Sequence, residues 1–127
     1  MTGDSPGSPS RRLRPRDRLR SAEDYRRASR QGRREQGERF TVLVAPGVEG
    51  RARLGIAVPR QVGGAVLRNR LRRLIREYFR QNRALFAANE DVVVVPRPGV
   101  GWLRLSELAE IGTSLARARS RGRRRSA

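Results

Sequence analysis

Six side chains on one short stretch carry most of this sequence's capacity for chemistry: Arg68, Asn69, Arg70, Arg72, Arg73 and Arg76, all lying between Val62 and Glu77. A guanidinium is a rigid planar fork of donors that grips a phosphate or the edge of a guanine in bidentate fashion. The chemistry on offer is therefore recognition of a polyanion rather than bond breaking. Charge runs are usually solvated helix faces, but solvated faces mix signs, and here only Glu77 interrupts the arginines. Gly63 and Gly64 stand just ahead of the run. They would let backbone approach a phosphate at a helix N-terminus, and they fit a plain turn at least as well.

The rest of the composition narrows the field. The 127 residues suit one compact domain. Thirty basic residues against 12 acidic ones give a net charge of +18, and the sequence pI is near 12.0. Such a field speeds association with polyanions and disfavours self-association. Every basic residue is arginine; codon bias in a GC-rich genome accounts for the missing lysines as well as selection for bidentate contacts would. Histidine and cysteine are absent, which removes imidazole acid-base catalysis, thiol nucleophiles, disulfides and thiolate zinc sites. No evident cluster of acids offers a metal cage, so no catalytic residue and no metal ligand is expected in the protein. No run approaches the length of a membrane span, and the opening MTGDSPGSPS lacks the apolar core of a signal peptide. A cytoplasmic protein without a membrane partner is expected.

The elements that must position the arginines read as follows. Residues 1–12 lack large apolar side chains except Met1 and are expected to be disordered, as is an Arg-rich tail over 117–127 carrying Arg117, Arg119, Arg121, Arg123, Arg124 and Arg125. Between them lies a domain over 13–116. Ser21 and Asp24 form a variant capping box that starts a helix from Ala22 to about Gln31, with Gly32 as a left-handed terminator. Strands are predicted over 40–45, closed by Pro46-Gly47, and over 53–58, close enough to suggest an antiparallel hairpin. The longest pattern runs from Ala65 to Phe86: at about 100° per residue, Leu67, Leu71, Leu74, Ile75 and Tyr78 gather in one arc, with Arg72, Arg73, Arg76, Arg80 and Arg83 opposite. The unbroken apolar run in 91–96 predicts a central strand covered on both faces. Ser106 is placed to cap a final helix in which Leu108, Ile111 and Leu115 share a face, weakened by Gly112. The result is an α+β fold, a small single-domain sandwich in the order α-β-β-α-β-α.

At the arginine helix the sequence resembles a known family, the protein component of bacterial ribonuclease P. The family signature is an Arg-Asn-Arg triplet with Val-Gly-x-Ala-Val-x before it and x-basic-Arg-Leu-x-Arg-Glu after it. The chain reads Val62-Gly63-Gly64-Ala65-Val66-Leu67-Arg68-Asn69-Arg70-Leu71-Arg72-Arg73-Leu74-Ile75-Arg76-Glu77, filling every specified position. The similarity extends through Glu23-Asp24-Tyr25, Gly32, Arg39-Phe40 and Arg53-Leu54-Gly55-Ile56, over roughly residues 11 to 118.

The resemblance implies a ribonucleoprotein that removes the 5′ leader of precursor tRNA, in which a catalytic RNA cleaves with Mg²⁺ bound mainly by that RNA. It implies RNA contacts at Arg60, Arg68, Asn69, Arg70, Arg72, Arg73 and Arg76. It also implies a leader-binding cleft between the first helix and the sheet, at Tyr25, Thr41 and Leu43, and a left-handed β-α-β crossover against the usual rule. Ser29 and Leu43 stand where the family often has aromatics, so stacking should be weaker than usual. Pro59-Arg60-Gln61 replaces the family's Ser-Lys-Lys and loses one positive charge. Tyr25 itself could be simple core. From composition alone, a ribosomal or ribosome-assembly RNA-binding protein and a DNA-compacting protein are the competing readings.

Overall fold

A computed structural model describes residues 18–19, 21–48, 50–86 and 89–126, without the side chains of 122–126; the expected tail over 1–12 lies outside them. Helix α1 spans Ala22–Gln31, strands β1, β2 and β3 span Arg33–Gln36, Phe40–Pro46 and Arg53–Ile56, helix α2 spans Ala65–Gln81, β4 spans Glu90–Pro96, and α3 spans Ala109–Ser126. The predicted order holds with one strand added, β1.

The four strands form one sheet in the order β1-β2-β4-β3. The predicted hairpin between β2 and β3 does not form. Instead β4 sits between them, antiparallel to β2 with Val42 opposite Val94, and parallel to β3 with Leu54 opposite Val92. The reason is in β4 itself: a valine run apolar on both faces is most stable with neighbours on both edges, where all its backbone groups are paired. The parallel β3-α2-β4 connection is the unit for which the resemblance implies a left-handed crossover. The outer edge of β3 is met by the chain ahead of α1, where Leu19 N donates to Leu54 O at 2.9 Å.

Alternation along β2 and β4 divides the core. Phe40, Val42, Val44, Val92 and Val94 face α2 and α3 with Leu71, Ile75, Phe79, Leu108, Ile111 and Leu115. Leu43, Ala45 and Val93 face α1, with Leu19 and Ala28. Each fully buried Val, Leu, Ile or Phe contributes roughly 1.5 to 3 kcal/mol, so the larger cluster carries the fold and the smaller one fixes α1 on the opposite face.

Several local expectations are corrected. Ser21 does cap α1, its Oγ accepting from Asp24 N at 3.1 Å, but the Asp24 carboxylate turns to Arg27 and Arg53. Gly32 is extended rather than left-handed; glycine is required there because a Cβ would lie 2.3 Å from the Ala28 carbonyl oxygen. Helix α2 stops at Gln81, followed by a separate 3-10 turn over Arg83–Leu85. Ser106 does not cap α3: residues Leu105–Leu108 form a 3-10 turn, Arg104 N donates to Glu107 Oε1 at 2.8 Å, and α3 starts at Ala109. Gly112 is where the Tyr78 hydroxyl enters, 2.8 Å from the position a Cβ would take.

The segment expected as a tail from 117 continues α3. Ala118 is fully buried against the sheet, and Arg119 grips Glu90 through Nε and Nη2 at 3.0 and 2.6 Å. Arg121 pairs with Glu35 of β1 at 2.9 Å. The acids on neighbouring strands hold the helix where sequence reading saw only repelling charge.

Candidate nucleic-acid interface

Helix α2 packs through Leu71, Ile75, Tyr78 and Phe79, with Leu67 and Leu74 half-buried at the margins. Phe79 extends the predicted arc and lies 4.2 Å, centroid to centroid, from Phe86. With that face committed, the arginines are distributed around the remainder. Arg68 Nε donates to the Gly63 carbonyl at 3.1 Å, tying the helix to the glycine turn. Arg70 Nη2 donates to the Leu103 carbonyl at 2.7 Å, and its guanidinium lies 4.9 Å from the Trp102 ring centroid. Arg72 Nη1 donates to Asn69 Oδ1 at 3.1 Å. Arg73 is exposed, as is Arg60 in the 3-10 turn Arg60–Val62 before the helix.

Among the described residues, no carboxylate pairs with Arg68, Arg70, Arg72, Arg73 or Arg76; the acid on α2, Glu77, is engaged by Arg80 and lies below its ordinary pKa chiefly through that hydrogen bond. Arg76 shows the consequence. Burial first, then the positive charges of Arg18 and Arg72, pull its pKa below the ordinary arginine value. Like charges held together against partial desolvation are the electrostatic condition an arriving anion relieves.

The same two arginines reach the α1 side. Arg72 and Arg76 line a cavity of about 70 Å³ together with Arg18, Tyr25 and Ile56. Tyr25 is positioned by β3: its hydroxyl accepts from Ile56 N at 3.1 Å and donates to Ile56 O at 3.4 Å. Gly55 makes room for the ring, since a Cβ there would lie 3.0 Å from Tyr25 Cε1. Tyr25 is thus half-buried, neither core nor free platform. Thr41 and Leu43, the other expected cleft residues, share the α1 face of β2 but are 5% and 7% exposed. The open part of this region is Tyr25 with its arginines.

The acids lie elsewhere. Asp91, fully buried on β4, accepts from Arg53 Nε and Nη2 at 3.0 and 2.9 Å and from Arg27, and Asp24 completes the cluster. Among the described residues, no three acids gather into a group able to hold a metal ion, and no helix is long and apolar enough to cross a membrane.

Sequence reasoning missed Arg18 and Trp102. Arg18 joins Tyr25 through the bridge to Leu54, a pairing no periodicity signals. Trp102 had one signal, being the single tryptophan and following Gly101.

Comparison with known proteins identifies the family. The family model described as Ribonuclease P matches residues 13–119. The ribonuclease P protein component of Syntrophobacter fumaroxidans is 44% identical over 91 residues, 71% of this chain and 76% of that protein. The one from Thermotoga maritima is 40% identical over 82 residues, 65% of this chain and 70% of that protein. The solved RNase P protein from Thermotoga maritima superposes with a TM-score of 0.61 at 35% identity, covering 79% of this chain and 92% of that one. The Staphylococcus aureus protein gives a TM-score of 0.67 at 27% identity, covering 84% and 94%. With the family model spanning the whole packed domain and solved members sharing its α+β sheet, the chain belongs to the ribonuclease P protein family.

Proposed function

We propose that this protein is the protein subunit of a ribonuclease P particle, binding the catalytic RNA through α2 and the 5′ leader of precursor tRNA beside Tyr25. The observation that carries the reading is the set of five α2 arginines without an acidic partner among the described residues. Arg68 and Arg70 are preorganised by bonds to backbone carbonyls, which lowers the entropy of fixing their remaining donors on phosphate. Arg73 and Arg60 supply exposed charge for the same RNA. Arg72, Arg76 and Arg18 surround Tyr25 with positive charge, so that phosphates of an unpaired strand are held while a base meets the tyrosine ring edge.

Endonucleolytic cleavage belongs to the RNA in this reading, with Mg²⁺ held mainly by that RNA. Among the described residues no three acids gather into a group able to hold the ion, and Asp24, Asp91, Glu77 and Glu90 are each engaged by arginine. A ribosomal role would draw on the same charge, but the family match across residues 13–119 favours the ribonuclease P particle.

The test is reconstitution with the catalytic RNA, following cleavage of precursor tRNA at low Mg²⁺. The protein should restore cleavage that RNA alone performs poorly under those conditions, and should cleave nothing by itself. Cleavage by RNA-free protein in proportion to its own concentration, or a protein that never stimulates the RNA, overturns the proposal.

A further inference from the structure

Trp102 is 63% exposed, on the segment joining β4 to the 3-10 turn before α3. An indole left in water on a surface otherwise rich in charge calls for a physical account. The segment that carries it is held at both ends. Arg97 N donates to the Arg39 carbonyl at 2.8 Å and Arg97 Nη1 to the Gly37 carbonyl at 2.7 Å. On the far side Leu103 is buried in the main core. Between these anchors Gly99 and Gly101 adopt φ of 87° and 71°, a region that side-chain-bearing residues rarely enter, and Val100 N closes a turn onto the Arg97 carbonyl at 3.2 Å. The backbone is thus shaped to present the residue after Gly101 at the surface beside α2.

What it is presented against is Arg70. The guanidinium sits 4.9 Å from the indole centroid while one of its nitrogens is committed to the Leu103 carbonyl at 2.7 Å. The cation covers part of the indole and leaves the rest open. A rigid aromatic surface edged by a fixed cation, next to a helix face with unneutralised arginines, is the arrangement by which proteins hold an unpaired nucleobase: the ring stacks on the base and the guanidinium takes the adjoining phosphate. A net charge of +18 disfavours a second copy of the chain as the occupant.

We propose that Trp102, backed by Arg70, is a stacking platform for an unpaired base of the RNA bound along α2. The proposal rests on the reading that α2 binds RNA, and it adds an aromatic stacking surface to the ionic and hydrogen-bonding contacts of the arginines. The base belongs either to the catalytic RNA or to the precursor tRNA; the chemistry is the same.

Trp102 is the chain's single tryptophan, so its emission, excited selectively over tyrosine, reports on this position in the full-length protein. The measurement is acrylamide quenching of the free protein, of its complex with the catalytic RNA, of that complex with precursor tRNA added, and of the protein with a fully paired RNA duplex. Protection is expected with the catalytic RNA, or on adding precursor tRNA, and the arm in which it appears names the source; the duplex should not protect. In parallel, Trp102→Leu should weaken binding of that RNA roughly five- to hundredfold, while Trp102→Phe keeps most of the affinity because a flat ring remains.

If Trp102 serves only to hold Arg70, Trp102→Leu weakens binding while the indole of the wild-type complex stays as accessible as in the free protein, and the proposal falls. It also falls if the duplex protects equally, or if protection occurs but Trp102→Leu binds normally. These results leave the ribonuclease P reading intact. Failure of the wild-type protein to bind the catalytic RNA at all overturns both.

Discussion

Arg53 and Arg72 carry the same side chain on the same domain and meet opposite surroundings. Arg53 is nearly enclosed, with Nε and Nη2 on the buried Asp91 and a further contact to Asp24; those acids raise its pKa, hydrogen bonding to Asp91 first, against the cost of burial. Arg72 lies on a helix whose acid is engaged elsewhere, and the cations beside it are Arg18 and Arg76. Counting arginines does not separate the two. What separates them is where the fold places its 12 acids: some lie beneath α1 and on the strands that pair with α3 arginines, while the arginine face of α2 is left unneutralised among the described residues. The region around Asp91 should therefore govern stability, and the α2 face should govern binding.

The largest effect expected from this division is at Asp91. Asp91→Ala removes the fully buried acid and leaves Arg53 and Arg27 to share Asp24 alone, and a buried ion pair that loses one partner costs about 3 to 5 kcal/mol. Denaturant unfolding measures the loss, and titration with the catalytic RNA below the unfolding transition should find the affinity of the folded fraction unchanged. A variant that stays stable yet binds RNA weakly would erase the distinction between the two regions.

Next in size is the converse substitution. Arg72→Ala and Arg76→Ala each remove a cation facing the Tyr25 cavity, and each lost phosphate or base contact should cost about 1 to 3 kcal/mol of binding. Stability should hold. Arg76 is half-buried among like charges, so its removal relieves repulsion that offsets the packing lost from its stem. Equilibrium binding of precursor tRNA to the reconstituted particle, paired with thermal unfolding of each variant, checks both halves. Early melting with normal affinity would mean that these arginines are structural, like Arg53.

The same contrast explains what could be read from the sequence. The arginine face was legible because a helix converts spacing into direction, and Leu71, Ile75 and Tyr78 marked the opposite side. Strand β4 was legible because Val92, Val93 and Val94 have no polar face to offer water. Strand β1 was not: Arg33-Arg34-Glu35-Gln36 has no apolar alternation, and it is a strand because β2 has an edge to pair, the charged side chains protecting that edge from further pairing. The false hairpin came from reading proximity in sequence as pairing. The extended α3 was hidden because Ala118 is small and its neighbours are arginines whose partners, Glu90 and Glu35, are distant in sequence. At the site, Thr41 and Leu43 followed from the resemblance, but both are buried; Trp102 needed the loop's tertiary placement before its neighbour Arg70 could be known.

A smaller effect distinguishes the regions by pH. Burial pushes the Asp24 carboxyl up, but Arg53 and Ser21 together bring it below its ordinary value of 3.8. A carboxyl whose pKa is lower in the folded state contributes stability that is present above 3.8 and is lost as pH falls through the folded value. Acid titration should therefore reduce the unfolding free energy below about pH 4, and Asp24→Asn should flatten that part of the profile. The arginines of α2 do not titrate there. A profile for Asp24→Asn identical to that of the wild type would show that the acid side of the comparison is carried by other groups.

Arg73 sharpens the comparison at its smallest scale. It is exposed on α2 and has no acidic partner among the described residues, so it represents the proposed binding face without the backbone ties of Arg68 and Arg70 or the crowding of Arg76. Replacement by alanine should alter stability by no more than about 0.5 kcal/mol, the usual range for a surface site free of special interactions. Alanine also favours the helix slightly. If Arg73 neutralises one phosphate, its loss should lower the slope of log affinity against log salt by about 0.7 to 0.9, because one counterion fewer is released on binding. Affinity alone would not be diagnostic, since any disturbance of α2 lowers it, whereas the slope counts neutralised phosphates. Titrating wild type and Arg73→Ala with the catalytic RNA at several salt concentrations gives that count. Parallel lines would mean that Arg73 is a solvated surface charge, and the binding face would then narrow to Arg68, Arg70, Arg72 and Arg76.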